Sequence, residues 1–599
     1  MLVFAAALAI AWSVVTLLSG GFALHLGRLA LSSRDPVRPL LIAAVLLGTA
    51  RVLLPGSEFG RILRALTGGR DRLAVRIAAV AALAVLVVAL AWNSRAAGGS
   101  DSSCYVLQSE AFARGELTLA NPLPGVLPGA TPGMFAPTGF VPSRITPFTA
   151  VPICGPGLAL AMAAASRIGG RDAVFLVVPV CAALAVWLTF VLGRRLDDEV
   201  TGAAAAVLLA TSPILIYQSV QPMSDVPAAA VWLAALTATA RGDRRGQILG
   251  GVCASLAVLM RPNLALIVIP LVFLSFRSFR PPSTRSRSLR PGKAEATALG
   301  SVVSAFRRNV LFLLAIAPGL AVMAWLNTAR YGSPLASGYG STDVLFSFAH
   351  VGSNLARYPR WLIETETPLL VLALLAPWWA RGHPGRASLV WVSLTAVALT
   401  FATYLAYTVF DDWWYVRFLL PALPVLVVLS VAVLLAPARR RPVVRVGAAI
   451  AACALVGAWH LHAARTRHVL DLQALESRFA ITGRYAGRAL PANAVVLAVQ
   501  QSGSIRYHGG RATIAWDAIP PRALEATIAE LTAAGRPAYV ALEDAEEPGF
   551  RARFSTQPYG ALDWPPHAEI QGAVRVRLYD FGERAAYVSG RRVATEYVR

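Results

Sequence analysis

Apolar runs of about 15 to 20 residues, separated by short polar turns, recur along the chain until roughly residue 461. A bilayer crossing needs roughly 20 apolar residues, and fewer where neighbouring helices tilt or thin the path. The pattern therefore predicts a polytopic α-helical membrane protein with about thirteen transmembrane helices. They fall roughly at 1–20, 38–54, 74–92, 173–193, 199–218, 224–240, 246–260, 262–276, 308–326, 367–380, 388–409, 417–436 and 443–461. After about 465 the pattern changes to strand-like AVVLAV and AYVALE with the helical PRALEATIAELTAAG between them, which predicts a small α/β unit. The expected organisation is two N-terminal helices and a basic loop over 1–73, a membrane core over 74–461 with a long outer loop at 93–172, and an extracytoplasmic α/β domain over 462–599.

Composition agrees with this class: 56% of the 599 residues are hydrophobic and only 15% are charged. The formal net charge of +23 would suit nucleic acid, but the arginines sit in short loops between apolar spans, where they set orientation. No nucleic-acid partner is expected. The basic stretches 55–73, 277–308 and 439–445 all fall on one side of a single alternating assignment, so that side is cytoplasmic and the chain belongs in a bacterial inner (cytoplasmic) membrane. The loop 93–172, the loop 327–366, the DDWWYVR turn and everything after about 462 then face outward.

Three segments refine the scheme. The opening MLVFAAALAIAWSVVTLL lacks the basic flank of a secretory signal and reads as an uncleaved first helix. VPICGPGLALAMAAAS is apolar but short and carries Pro and Gly, which suits an interfacial or re-entrant helix. The insert 277–305, rich in Ser, Pro and Arg, has too little apolar surface to pack and is expected to stay loosely ordered at the inner face, drawn to anionic lipid. Of the five cysteines, Cys104 and Cys154 share the outer loop; they can stay as thiols or, where their Cβ atoms approach in an oxidising compartment, form a disulfide. No metal-ligand spacing occurs.

Charge left at hydrophobic ends marks candidate chemistry. Asp101, in GGSDSSCYVLQSEAFARGEL, opens an amphipathic helix with Tyr105 on it; it can cap that helix or act on a substrate. Asp225, in QPMSDVPAA, lies at the outer lip of a span behind Ser224, which can cap it. Two carboxylates at one interface can divide the roles of proton acceptor and orienter, or hold a divalent cation. Arg261, in LMRPN, sits where two short spans turn at the same face; it can snorkel to headgroups or bind a lipid phosphate. Arg417 begins a span just after DDWWY, whose rings suit an interfacial belt. The loop NTARYGSPLASGYG combines Asn327, Tyr331 and Tyr339 with turn-forming glycines, and its rings can stack on a sugar.

Taken in order, these five motifs resemble the landmarks of GT-C superfamily membrane glycosyltransferases, in the protein-mannosyltransferase and aminoarabinose-transferase-like branch, over roughly residues 74–436. The resemblance implies inverting transfer of a sugar from a polyprenyl-phosphate carrier to a glycan, lipid or protein acceptor at the extracytoplasmic face. It implies Asp101 and Asp225 as the catalytic acids, Asp101 being the general base, and Arg261 as the lipid-phosphate binder. Tyr105, Asn327, Tyr339 and Arg417 are further substrate-binding candidates. Ser102 follows Asp101 where many such enzymes carry a second acid, which weakens the case for a metal held by an acidic pair. No cofactor is required, although a divalent cation remains open. The alternative is a transporter or flippase of a lipid-linked sugar, which would gather its charges near mid-bilayer in broken helices.

Overall fold

The computed structural model describes residues 22–26, 29–33, 70–276 and 291–598, with single helical positions at 38, 41, 42, 45, 46 and 49. The expected crossing at 1–20, most of that at 38–54, nearly all of the basic loop 55–73 and the insert over 277–290 lie outside the described residues. Packing divides the chain into two units, Met1–Ile77 and Ala78–Arg599. The first contains an antiparallel pair of strands, Phe22–Leu26 and Leu29–Ser33, which the hydrophobic pattern had not indicated. The second holds all the candidate residues.

Among the described residues, five helices are long and apolar enough to cross a membrane: Asp71–Ala91, Arg171–Leu196, Asn309–Tyr331, Pro384–Leu405 and Pro442–Thr466. Three further crossings arise if bent pairs count as single spans: Glu199–Ala210 with Pro213–Ser219 (60°), Phe348–Thr365 with Pro368–Trp379 (109°), and Trp413–Leu419 with Leu423–Ala438 (83°). Among the described residues there are thus five to eight spans by length and composition; the expected thirteen include the crossings at 1–20 and 38–54, which fall wholly or mostly outside them. A proline stands at each break (Pro213, Pro368, Pro421), lacking an N–H and clashing with the preceding turn. Asp225–Thr239 and Pro262–Ser275 are apolar but too short to span alone. Part of the insert expected to be loose is helical backbone, continuous with Pro291–Tyr331.

Successive helices alternate in direction and sort the charged groups to two ends. Val177–Leu196 has 20 residues, about 30 Å of rise, and ends on the Asp197–Asp198 pair. At that end Arg445 is almost wholly buried. It donates to the Leu435 carbonyl (2.8 Å) and the Thr201 hydroxyl (2.8 Å), and pairs with Asp197 and with Asp198 (2.9 Å). Asp198 in turn caps Glu199–Ala210 by accepting from the Thr201 N–H at 2.9 Å. The basic stretch 439–445 is therefore not uniformly solvated: its last arginine ties three helices together.

Residues 472–598 form a six-stranded mixed sheet in the order Glu596–Val598, Ala568–Ile570, Val576–Asp580, Ala538–Glu543, Val495–Leu497, Ala512–Ile514. Ala538–Glu543 is the AYVALE segment. It lies in the interior of the sheet, with Val540 and Leu542 packed in one core and Tyr539 and Ala541 in the other, as expected of a strand buried on both faces. This sheet does not pack as a body separated at 462. Leu123, Leu127, Met134 and Phe135 of the outer loop complete one of its cores, because one sheet face would otherwise expose a large apolar area. Ala96 packs on Phe479 and Ala480, and a Cβ at Gly98 would strike the Phe479 ring at 2.2 Å, so the chain entering the outer loop is pressed against the helix Leu472–Ala489.

Removing Arg445 takes away the nearest cation of the buried Asp197 carboxylate and leaves it only the longer pairs to Arg386 (3.6 Å) and Arg439 (3.8 Å); breaking a buried pair outright typically costs about 3–5 kcal/mol, and these neighbours reduce the loss. Arg445→Ala is expected to lower the thermal unfolding midpoint of the detergent-solubilised protein, with Arg445→Ala/Asp197→Asn recovering a large part of the loss.

Candidate functional site

At the opposite end, two carboxylate–guanidinium pairs stand side by side. Asp101 lies in the first turn of Gly99–Arg114, where the extended Gly98 receives no side-chain cap. The Asp101 side chain does not cap its helix; its Oδ2 accepts from Arg417 Nη2 at 2.8 Å. Arg417 comes from the 3₁₀ turn Trp413–Leu419, ahead of the proline break, which explains how a cation at the start of a span reaches this carboxylate. Asp101 is 36% exposed in its side chain, whereas Arg417 is mostly enclosed and its Nε has no hydrogen-bond partner.

The second pair joins Asp225, at the start of Asp225–Thr239, to Arg261, at the end of Arg244–Met260, with Nη2 to Oδ1 at 2.7 Å. Asp225 is 1% exposed and makes no hydrogen bond besides this pair. Arg261 is further fixed by its Nε donating to Ser224 Oγ at 3.2 Å and by Nη1 against the Tyr404 hydroxyl at 3.4 Å. The Asn263 amide also donates to that hydroxyl, at 2.5 Å.

Tyr105, one turn beyond Asp101, donates to Ser224 Oγ at 2.7 Å and so links the first acid's helix to the second pair. Burial pushes its phenol up to about 12, which keeps it protonated as a donor. Both guanidiniums lie against the Phe418 ring, Arg261 at 5.6 Å and Arg417 at 5.1 Å, and Tyr404 stacks on the ring at 4.8 Å. Tyr339 belongs to the same neighbourhood. Desolvation and then the Asp101 carboxylate hold its phenol above the ordinary range.

Asn327 is not brought to these pairs by any contact of its side chain. Its amide donates to the Pro334 carbonyl at 3.0 Å and shapes the loop that carries Tyr339. Tyr331 likewise donates to the Pro152 carbonyl. A Cβ at Gly338 would come within 2.7 Å of Ile153 Cα, so only glycine lets the loop lie this close. Ser224, Tyr404 and Phe418 escaped the sequence reading. Ser224 reads as a helix cap, yet its oxygen is taken by Tyr105 and Arg261; the other two read as ordinary apolar or interfacial rings.

Cys104 and Cys154 are disulfide-bonded. Cys104 is on the Asp101 helix, and Cys154 directly precedes Gly155 and Gly157, whose hypothetical Cβ atoms would meet the backbone of Leu259 and Met260 at 2.5 to 2.7 Å. The crosslink thus braces the Asp101 helix against the turn that presents Arg261. Asp101 and Asp225 each face their own arginine, so this donor set does not suit a divalent cation. Among the described residues, the one group of three candidate metal-ligating side chains is His567, Asp580 and Glu583, in the C-terminal segment.

A disulfide closing a loop of this length typically contributes about 2–4 kcal/mol. Cys104→Ser/Cys154→Ser, or reductant added to the wild type, is expected to lower the thermal midpoint; a midpoint unchanged by both would show that the brace carries no stability.

The family model for dolichyl-phosphate-mannose-protein mannosyltransferases matches residues 153–303. A comparison with curated proteins finds no match. Among solved structures, ArnT from Cupriavidus metallidurans bound to undecaprenyl phosphate aligns with a TM-score of 0.50 and 13% identity, over 84% of this chain and 97% of that one. The oligosaccharyltransferase AglB from Archaeoglobus fulgidus, in complex with an inhibitory peptide and a dolichol-phosphate, aligns with a TM-score of 0.47 and 12% identity, over 81% and 71%. With its alternating apolar helices, its paired charges at one end and this likeness, the chain is a multi-pass membrane protein with the fold of the GT-C superfamily of membrane glycosyltransferases.

Proposed function

We propose that the protein transfers a sugar, with inversion, from a polyprenyl-phosphate carrier to an acceptor hydroxyl at the extracytoplasmic face of the membrane. The observation that carries this reading is the gathering of two guanidiniums at the Phe418 ring, one of them ion-paired with Asp101, the exposed member of the site. Attack of a hydroxyl on an anomeric carbon needs a base for the hydroxyl proton and cationic help for the departing phosphate. Asp101 takes the proton as the new glycosidic bond forms. The bond from the anomeric carbon to the carrier phosphate breaks, and Arg261 and Arg417 receive the negative charge left on polyprenyl phosphate. Asp225 and Ser224 keep Arg261 in place.

An apolar groove supports a lipid-borne donor. The 109° bend after Thr365 opens a cavity of about 810 Å³ between Leu370, Leu374, Trp378, Trp391, Phe401 and Leu426. Phe401 lies three residues, about 4.5 Å of helix rise, from Tyr404, which touches Arg261. A polyprenyl chain in this groove has its phosphate end directed toward the two arginines. ArnT, the relative whose structure contains undecaprenyl phosphate, is consistent with such a donor. Two observations support the extracytoplasmic placement: the arginine-rich stretch 439–445 lies at the other end of the helices, and the site is crosslinked by a disulfide.

Release of polyprenyl phosphate from a labelled donor in membranes containing the native acceptor tests the reading. Asp101→Asn is expected to lower turnover by about 10²- to 10⁴-fold with donor affinity little changed. Arg261→Ala is expected to lose about 3 kcal/mol of transition-state stabilisation, on the order of 10²-fold. Full release by a well-folded Asp101→Asn protein refutes the base, and movement of intact donor across vesicles without release identifies a flippase.

A further inference from the structure

Two of the three bent spans break at one place, and a carboxyl that the ion-paired site does not use sits between them. The 60° bend falls at Thr211 and Ser212, and the 109° bend falls at Glu366 and Thr367. Glu366 is 1% exposed. We infer that Glu366, together with Ser430, is a positioning residue for the donor: the two fix the wall on which the polyprenyl chain lies. The inference rests on the transferase reading above and on its lipid groove.

A break in a helix frees backbone groups that apolar surroundings cannot solvate, so other groups must satisfy them. Glu366 does this across the two spans. Its Oε1 accepts from the Ile214 N–H at 3.3 Å, in the first turn after the other break, and its carboxyl also accepts from the Ser212 hydroxyl. A third span joins through the buried His460, which is on Pro442–Thr466. Its Nδ1 lies 2.9 Å from the Thr211 hydroxyl, and its Nε2 stands 3.8 Å from Glu366 Oε2. The two kinks are thereby held to one another and to an unbroken helix.

This junction lies directly behind the groove. Glu366 and His460 border a cavity of about 20 Å³, room for a single water, whose lining includes Thr367 and Leu370. Thr367 and Leu370 also line the groove of about 810 Å³, so one layer of residues separates the two. The layer is carried by the 3₁₀ turn Pro368–Leu375, and Ser430, on Leu423–Leu435, ties it by donating to the Leu370 carbonyl at 3.1 Å. A 3₁₀ turn has poorer internal hydrogen bonds than an α-helix, so its place depends on such outside ties. Loss of the Glu366 carboxyl leaves the Ile214 N–H unpaired in an apolar interior and frees the wall to shift. The ties of Asp101, Arg261 and Arg417 run to other residues, so the effect falls on the lipid tail and not on the phosphate.

The test compares binding of undecaprenyl phosphate and of the short geranyl phosphate to the full-length, detergent-solubilised protein by native mass spectrometry, well below the thermal midpoint of each variant. Glu366→Ala is expected to weaken undecaprenyl phosphate by roughly tenfold or more and geranyl phosphate by less than about threefold. Glu366→Gln keeps an acceptor oxygen for Ile214 and is expected to bind both nearly as the wild type does. A merely structural role lowers the midpoint without this dependence on chain length. Ser430→Ala, the milder change, is expected to weaken the long chain by about threefold and decides the matter where Glu366→Ala does not fold. Leu374→Trp, which fills the groove, serves as the control for the groove itself. Loss of long-chain binding in Leu374→Trp with none in Glu366→Ala, or none in Ser430→Ala where the first variant does not fold, overturns the inference and leaves the groove standing. Equal loss of both phosphates in Glu366→Ala overturns it as well, and Leu374→Trp without effect removes the groove and this inference with it. None of these outcomes bears on Asp101, which the release assay judges separately.

Discussion

The arrangement depends on keeping two arginines charged and close together at the edge of an apolar bundle. Two guanidiniums against one phenylalanine would repel each other in a poorly solvated place unless each had its own anion. Asp101 and Asp225 supply those anions, at 2.8 and 2.7 Å. The two pairs are unequal. Asp225 is 1% exposed, whereas the Asp101 side chain is 36% exposed.

Positioning four charged groups to within a hydrogen bond requires rigid supports, and the chain draws them from distant segments. The Asp101 helix is held by the Cys104–Cys154 bridge and by Tyr105 to Ser224. It is also packed on its outer side: a Cβ at Gly503 would fall 2.2 Å from that of Ser103, so Ser502–Ser504 of the C-terminal segment presses on the same helix. The outer loop gives four apolar side chains to the sheet in return. The C-terminal segment is therefore part of the frame of the site and not an appendage hung beyond the membrane.

The far end of the helices shows the same physics without the chemistry. Arg445 and Asp197 are both nearly inaccessible, and Arg445 also satisfies a helix-end carbonyl and a hydroxyl. A buried pair of this kind joins helix termini and leaves nothing for a ligand. The contrast with Asp101 lies in exposure, since the two ends use similar residues.

Much could be read from the chain alone. Apolar runs and arginine-rich turns established a many-helix membrane protein, and AVVLAV, AYVALE and PRALEATIAELTAAG marked two strands and a helix of the C-terminal sheet, because hydrophobic period and burial are local properties. Asp101, Arg261 and Arg417 stood out because charge at an apolar end is costly wherever the chain goes. Tertiary structure decided who meets whom: that Asp101 takes Arg417 while Asp225 takes Arg261, that Ser224 bridges where it might have capped, and that Asn327 serves its own loop. It also decided where apolar runs are bent, at 60°, 109° and 83°, since whether a proline bends a span or ends it depends on the helices packed around it. Pairings between residues hundreds of positions apart are set by packing of the whole bundle, which no local pattern records.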